Sequence, residues 1–368
     1  MRKVSSHFNI TRRVDHEEDG RGMRVFKTSR SVAAAGMIAK RLLKTTGSSG
    51  AIYGQGFFRY RQRKGWGVLG DDTPVQDCHG MVQSRDGRIF LLTNHTANNV
   101  ILYSREGERL GAWGNGFPGA HGFTLFEENG EERLFITDHD RHQVFKITLD
   151  GHILLILDWP EKSGKYLSAD QYKPTQVAVA QDGSFYVSDG YGLNFVMHYD
   201  PKGGLLNTFG GSGDAPGALH CAHGILVDRR DPECPVLLIT SRAQSAIKRF
   251  RLNGEYLDTI LLPGTRPCGI VPYGEYLVVP HLKGGGKPAG SEVENGFVSI
   301  LDRSNRIVSN IGAAAAVYEA DGLPAEMSAD CALFTYPHGL LVDDRDDLYV
   351  AQWNSGRTYP IKLERVIE

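Results

Sequence analysis

His79-Gly-Met-Val-Gln-Ser-Arg-Asp-Gly-Arg-Ile-Phe-Leu-Leu-Thr93 runs apolar, turns at Asp86-Gly87 and returns as a second apolar run. A polar turn follows, then Val100-Ile-Leu-Tyr103, then the hairpin Gly107-Glu-Arg-Leu110. The plan begins again at His121, with Leu134-Phe-Ile-Thr-Asp138 as its second run and Val144-Phe-Lys-Ile147 as its third. It recurs from Thr175, with the turn Asp182-Gly183 and the run Phe185-Tyr-Val-Ser-Asp189. Further copies start at His223, Cys268 and His338. Subtracting successive starts gives spacings of 42, 54, 48, 45 and 70 residues. Asp-Gly, Asn-Gly and Lys-Gly pairs between short apolar runs are the chemistry of tight hairpins.

A repeat of roughly 40–50 residues carrying four strands reads as one propeller blade. A lone four-stranded sheet cannot bury both of its faces, and packing blades around an axis supplies the missing partner. Six copies argue against a β-sandwich with regular hairpins. The expected fold class is therefore all-β: a six-bladed β-propeller with an N-terminal arm. The last copy ends after Tyr359-Pro-Ile-Lys-Leu363, one strand short of a blade. The missing strand is sought upstream, where Arg63-Lys-Gly-Trp-Gly67 resembles the end of the stretch Arg105 to Gly114. The propeller is accordingly drawn over residues 51–368, its ring closed by residues about 57–69. Residues 1–50 carry no repeat and form the arm, in which Ser31 to Lys44 can make a short amphipathic helix. Two insertions, Lys283 to Asn295 and Ala313 to Tyr336, are candidates for lids or specificity loops.

Composition narrows the function. The chain has 368 residues and a net charge of −2, which gives no electrostatic case for nucleic acid or an anionic membrane. Five cysteines, with no Cys-x-x-Cys pair, indicate neither a disulfide framework nor a zinc-finger-type site. Asn9 to Asp19 is polar, and the apolar stretch Val32 to Leu43 is short and interrupted by Lys40 and Arg41. A cytoplasmic protein is expected, acting on a small-molecule or peptide substrate, with no nucleic-acid or membrane partner and an open oligomeric state.

The blade starts carry the chemistry. Rotation about the axis places equivalent positions in a ring around the channel, and four of the six are histidines: His79, His121, His223 and His338. The repeat itself has no need of them. Imidazole is a common ligand of zinc, copper and iron, and three such ligands with an open position describe a catalytic metal site. Cys268 at the fifth start is a further candidate ligand. Cys78, one residue before His79, points to the other face of its strand and is expected to pack between blades. The run Asp138 to Gln143 reads as a solvated blade turn. His95, His139, Arg141, His281, Lys283 and Trp353 are read as mouth residues able to tune specificity.

Tyr172-Lys-Pro-Thr-Gln-Val-Ala-Val179, Phe185-Tyr-Val-Ser-Asp-Gly-Tyr191 and Ala222-His-Gly-Ile-Leu-Val227 resemble the peptidyl-α-hydroxyglycine α-amidating lyases, within the wider NHL-repeat propellers. Ile239-Thr-Ser-Arg242, Thr137-Asp138 with His142-Gln-Val-Phe-Lys146, and Tyr336-Pro-His-Gly-Leu340 extend the likeness over roughly residues 75–365. The resemblance implies a zinc ion on His121, His223 and His338, with Tyr191 and Arg242 as the catalytic pair above it. It also implies cleavage of a C–N bond to release an amide and glyoxylate. The sequence departs from that family in three places. Asn94-His95-Thr96 stands where the lyase has a second arginine. Gly339 stands where the family has an aspartate that helps to bind a structural calcium. His79 adds a fourth histidine. Two alternatives stand beside a metal-dependent lyase or hydrolase: an iron enzyme with four histidine ligands, and a non-enzymatic NHL-type binding scaffold.

Overall fold

The computed structural model describes residues 50–284 and 295–367; the N-terminal arm, its Ser31 to Lys44 segment and most of the Lys283 to Asn295 insertion lie outside the described residues. Six antiparallel sheets follow one another along the chain. Blade 1 runs from the inside outward as Cys78–Gln83, Ile89–Thr93, Val100–Tyr103 and Arg109–Trp113. Blade 2 is Ala120–Glu128, Glu131–Asp138, Gln143–Thr148 and Ile153–Leu157. Blade 3 is Gln176–Val179, Phe185–Ser188, Phe195–Tyr199 and Leu205–Gly210. Blade 4 is Ala222–Asp228, Val236–Ser241, Ala246–Arg251 and Tyr256–Leu261.

In blade 5 the innermost strand is split into Thr265–Pro267 and Val271–Tyr273, followed by Tyr276–Gly284, Asn295–Leu301 and Ile307–Ile311. Pro267 and Pro272 have no N–H to give to a ladder, which suits a broken strand. Blade 6 takes Pro337–Val342, Leu348–Gln352 and Ile361–Arg365 from the end of the chain and Tyr60–Arg63 from its beginning. Tyr60 pairs with Arg365 and Arg63 with Lys362, so one sheet joins both ends of the propeller. The short strand Ile52–Tyr53 lies outside Tyr60–Arg63.

The core lies between blades rather than within one. Cys78, Met81, Leu91 and Tyr103 of blade 1 pack with Leu341, Tyr349 and Ala351 of blade 6. The Cys78 thiol sits in that seam, 3.5 Å from the Thr358 carbonyl. Trp66, just past the closing strand, joins the same cluster, and its indole N–H donates to the Arg105 carbonyl at 2.8 Å. Trp113 at the end of blade 1 does the same to Leu149 of blade 2, at 3.1 Å. Each indole covers a turn glycine of the next blade: a Cβ on Gly107 would meet Trp66, and one on Gly151 would meet Trp113. Both glycines also hold a positive φ.

Ala313 to Tyr336 is anchored into blade 5 instead of arching as a free loop. Ala313, Met327, Leu333 and Phe334 are buried, and Phe334–Thr335 pairs with the strand Asn295–Leu301. Among the described residues no helix is long and apolar enough to cross a membrane.

Candidate metal centre

In every histidine-started blade the inner hairpin changes register across the His-Gly step. The shifts fall between Cys78 and Gly80, Ala120 and Phe123, Ala222 and Ile225, and Pro337 and Gly339. Blade 3, which starts at Thr175, pairs its two inner strands without a shift. A bulge re-aims one side chain of a strand, and here it turns an imidazole toward the axis.

Glycine after each histidine lets neighbouring blades approach. A Cβ on Gly122 would stand 2.5 Å from the Thr175 carbonyl oxygen, one on Gly224 2.3 Å from that of Cys268, and one on Gly339 2.1 Å from that of His79. Threonines stitch the same seams. Gly122 N–H donates to Thr137 Oγ1 at 2.6 Å, and that hydroxyl reaches the Thr175 carbonyl. Gly224 N–H donates to Thr240 Oγ1 at 2.6 Å, and Thr240 donates to the Cys268 carbonyl at 2.8 Å.

The four imidazoles converge as a result. Ring centroids are 4.8 Å apart for His79–His121, His79–His338 and His121–His338, 4.7 Å for His121–His223 and 4.6 Å for His223–His338. All four are buried. His121 Nδ1 lies 2.7 Å from the Thr175 carbonyl and His338 Nδ1 3.2 Å from that of His79. A carbonyl only accepts, so each Nδ1 carries its proton and each Nε2 is left unprotonated, facing Tyr191 Oη in His121 and without a partner in His338. Burial pushes all four rings well below the ordinary imidazole value, His338 to about 3, with neighbouring rings and Arg242 adding repulsion. They are neutral, which is the form that binds metal.

Above this ring lies a second one, built by a backbone contact that repeats around the axis. The N–H groups of Asn94, His139, Tyr191, Arg242 and Trp353 donate to the carbonyls of Asp77, Gly119, Lys173, Cys221 and Tyr336. Each donor follows the second strand of its blade, and each acceptor lies two residues before the blade start. Blade 5 has no counterpart among the described residues, because its second strand runs on to Gly284.

Tyr191 and Arg242 are the members that meet over the histidines. Tyr191 Oη is 3.0 Å from both His121 Nε2 and His223 Nε2, and Arg242 Nη1 donates to it at 3.3 Å. The guanidinium lies 5.2 Å from the centre of the Tyr191 ring, a cation–π distance. Burial raises the Tyr191 phenol above its ordinary value, and Arg242 opposes that rise. Arg266 donates to the Ala243 carbonyl at 2.7 Å and to that of Arg242 at 3.4 Å, steadying the turn that carries Arg242. His139 stands beside the pair, its ring 5.7 Å from Tyr191 and its Nδ1 2.9 Å from Asp140. Asn94, in the first-blade position, is held by Asp77, whose N–H donates to Asn94 Oδ1 at 2.9 Å.

Two readings of the sequence need correction. His281 does not reach the mouth: it is fully buried in blade 5, against Phe297, with Nε2 2.8 Å from Ser299 Oγ. Asp138 is not solvated. Its buried carboxylate accepts N–H bonds from Gly119, Asp140 and Arg141 and shapes the turn. Asp189 does the same work in blade 3, accepting from Lys173, Leu193 and the Tyr166 hydroxyl. Arg266 and the seam threonines escaped notice; the signal available for the threonines was Thr two residues before His139 and Arg242, in Thr137 and Thr240.

The residues fit a metal ion. His79 Nδ1 and Nε2 and His338 Nε2 are buried without a hydrogen-bond partner, an arrangement that costs free energy unless something binds there. Ligand atoms of His79, His121 and His338 lie within 4.8 Å of one another, as do those of His223, Cys268 and His338. Beneath the rings the channel widens into a cavity of about 730 Å³ lined by the inner strands.

A comparison with protein-family models finds no match. The chain is 28% identical over 271 residues to peptidyl-alpha-hydroxyglycine alpha-amidating lyase 1 of Drosophila melanogaster, covering 67% of this chain and 45% of that protein. It is 32% identical over 108 residues to a probable lyase of the same name from Caenorhabditis elegans, 29% of this chain and 30% of the relative. NHL repeat-containing protein 3 of Mus musculus is 23% identical over 249 residues, covering 62% and 71%. The chain thus spans less than half the length of the two lyases. Among solved structures, a gluconolactonase from Xanthomonas campestris superposes with a TM-score of 0.53 at 14% identity, covering 87% of this chain and 99% of that one. A streptogramin B lyase gives 0.52 at 14%, covering 85% and 97%. Identities this low bear on the fold alone. The chain is a six-bladed β-propeller with NHL-repeat homology, and its homologues include the peptidyl-α-hydroxyglycine α-amidating lyases.

Proposed function

We propose that the protein is a metal-dependent lyase that cleaves a C–N bond, or a related C–X bond, in a small hydroxylated or carboxylated substrate of the peptidyl-α-hydroxyglycine kind. One observation carries the reading: four buried imidazoles converge beneath the Tyr191–Arg242 pair, His121 and His223 facing Tyr191 Oη while His79 and His338 keep unpartnered nitrogens. His121, His223 and His338, with His79 beside them, would hold the ion, for which zinc is the first choice. Such an ion supplies Lewis acidity that makes a nearby hydroxyl easier to deprotonate.

The chain's own residues do the rest. Arg242 pairs with the substrate carboxylate, for which its planar fork of donors is suited. Tyr191 Oη takes the hydroxyl proton as general base. Its burial works against ionisation, and Arg242 together with a bound cation works for it. As the hydroxyl proton leaves, the C–O bond becomes a carbonyl and the C–N bond breaks. The nitrogen then takes up a proton and departs as an amide. No oxidant enters the balance.

His79 favours a second reading, because a fourth imidazole also suits iron. Metal analysis of the purified protein, beside a His121→Ala/His223→Ala double variant, separates the two. About one zinc per chain, lost in the variant, together with glyoxylate release from an α-hydroxyglycine peptide, supports the lyase. Iron in its place favours the four-histidine alternative. A protein that takes up no metal is a binding scaffold, and the proposal fails.

A further inference from the structure

We propose that Cys268 gives the metal centre a thiolate ligand, so that the ion is held by nitrogen and sulfur on the side of the ring facing Arg242. The inference rests on the metal-centre reading above and specifies its donor set.

Position comes first. Cys268 occupies the start of blade 5, the place that histidine fills in four other blades, and it is fully buried. One ligand atom each from His223, Cys268 and His338 lies within 4.8 Å of the others. His338 Nδ1 is engaged with the His79 carbonyl, while its buried Nε2 has no partner. An unsatisfied nitrogen beside a buried sulfur is what a bound ion would resolve.

The backbone holds the sulfur in place. The Cys268 N–H donates to the Pro280 carbonyl at 2.9 Å, its carbonyl accepts from Thr240 at 2.8 Å, and the Gly269 N–H reaches the His338 carbonyl at 3.3 Å. The last contact ties the thiol's own segment to the histidine it would share an ion with. The break in the inner strand between Pro267 and Val271 leaves Cys268 outside the regular alternation of strand side chains.

The sulfur's polar contacts suit a thiolate: its thiol faces the Arg266 carbonyl at 3.7 Å, while Arg242 Nη1 at 3.9 Å and the Leu282 backbone donate to it and would stay with it once the proton is gone. The guanidinium lies on the correct side to favour a thiolate. On coordination the S–H bond breaks, the electron pair goes to the ion and the proton passes to solvent.

The two ligand sets share His338. His79 and His121 complete one and His223 with Cys268 the other, and the sulfur-containing set is the one beside Arg242. A thiolate there selects for zinc or another thiophilic ion over a hard one.

The test loads the metal-free full chain with cobalt(II) and records the near-ultraviolet spectrum, with cobalt stoichiometry measured in parallel. Thiolate-to-cobalt charge transfer is expected in the wild type, kept in Cys221→Ser and lost in Cys268→Ser while cobalt stays bound to the histidines. A second measurement needs no variant: X-ray absorption of the zinc-loaded wild type should show a sulfur shell at about 2.3 Å beside nitrogen at about 2.0–2.1 Å. Stoichiometric metal with no charge-transfer band and only light-atom neighbours overturns the thiolate while leaving a histidine centre intact. A band that persists in Cys268→Ser overturns it equally. A wild type that binds no cobalt overturns the metal centre itself.

Discussion

Gly224→Ala tests whether blade packing sets the metal centre. The new Cβ would stand 2.3 Å from the Cys268 carbonyl oxygen and 3.0 Å from Gly269 Cα, where ordinary contact begins at 3.4 Å. Both obstacles are backbone, so no side chain can swing aside, and blades 4 and 5 must part by roughly 1 Å, an overpacking that costs about 1–3 kcal/mol. Parting them also strains the bond from Thr240 Oγ1 to the Cys268 carbonyl, worth about 1 kcal/mol. The total is about 2–4 kcal/mol, which for a domain of this size lowers Tm by roughly 3–6 °C. Gly111→Ala is the control, since a Cβ there meets nothing within 4 Å. It should move stability by no more than about 0.5 kcal/mol. Calorimetry gives both shifts, and zinc titration of the same samples should show affinity falling about 10–100-fold in Gly224→Ala alone, the range expected when the support of a ligand is disturbed. Equal Tm values for the two variants, or unchanged zinc affinity in Gly224→Ala, would refute the reasoning.

Three further outcomes are expected. Trp66→Ala empties a buried site against Tyr103 and Tyr349 and breaks the bond to Arg105, costing about 3–5 kcal/mol; its urea midpoint should fall accordingly. Asp189 is raised by burial to about 6 from 3.8, so the folded chain binds the extra proton between those values. Stability therefore declines as pH rises through that window and levels above it, and Tm plotted against pH for Asp189→Asn should lack this component. Tyr191→Phe keeps the fold and bound zinc but should lower kcat by about 10²–10⁴, the usual worth of a general base; a turnover assay with α-hydroxyglycine peptide in which kcat holds would remove Tyr191 from the chemistry.

The recurrence of short apolar runs separated by Asp-Gly, Asn-Gly and Lys-Gly turns, with His-Gly at four of the starts, made the blades legible, because a repeat needs only turn chemistry and apolar spacing to be recognised. Five of the six starts read from it fall at the heads of inner strands, and the sixth, Cys268, falls in the break of the split inner strand of blade 5. What brings the imidazoles together was not legible. The register shifts at His79, His121, His223 and His338 are tertiary features, enforced by the neighbouring blade's carbonyl at Gly122, Gly224 and Gly339. His281 misled for a related reason: strand Tyr276–Gly284 continues where other blades turn, which carries that side chain into the core. Asp138 looked like surface charge because a carboxylate that collects backbone N–H groups has no local signature that separates it from a solvated one.

The shared sheet of blade 6 also imposes an order in time. Tyr60–Arg63 leaves the ribosome well before its partner Ile361–Arg365 does. At about 5–20 residues per second, the first strand waits tens of seconds while five blades emerge. Contacts so distant in the chain are the slowest to form. His79 and His338, whose backbone-to-ring bond spans 259 positions, come together across the same seam between blades 1 and 6. The ligand set is therefore complete only once the circle has shut, so a nascent or opened chain can hold an ion with part of the set at most. Metal capture thus reports on the finished ring, and a chain cut anywhere within its closing strand should give up the ion as well as the seam.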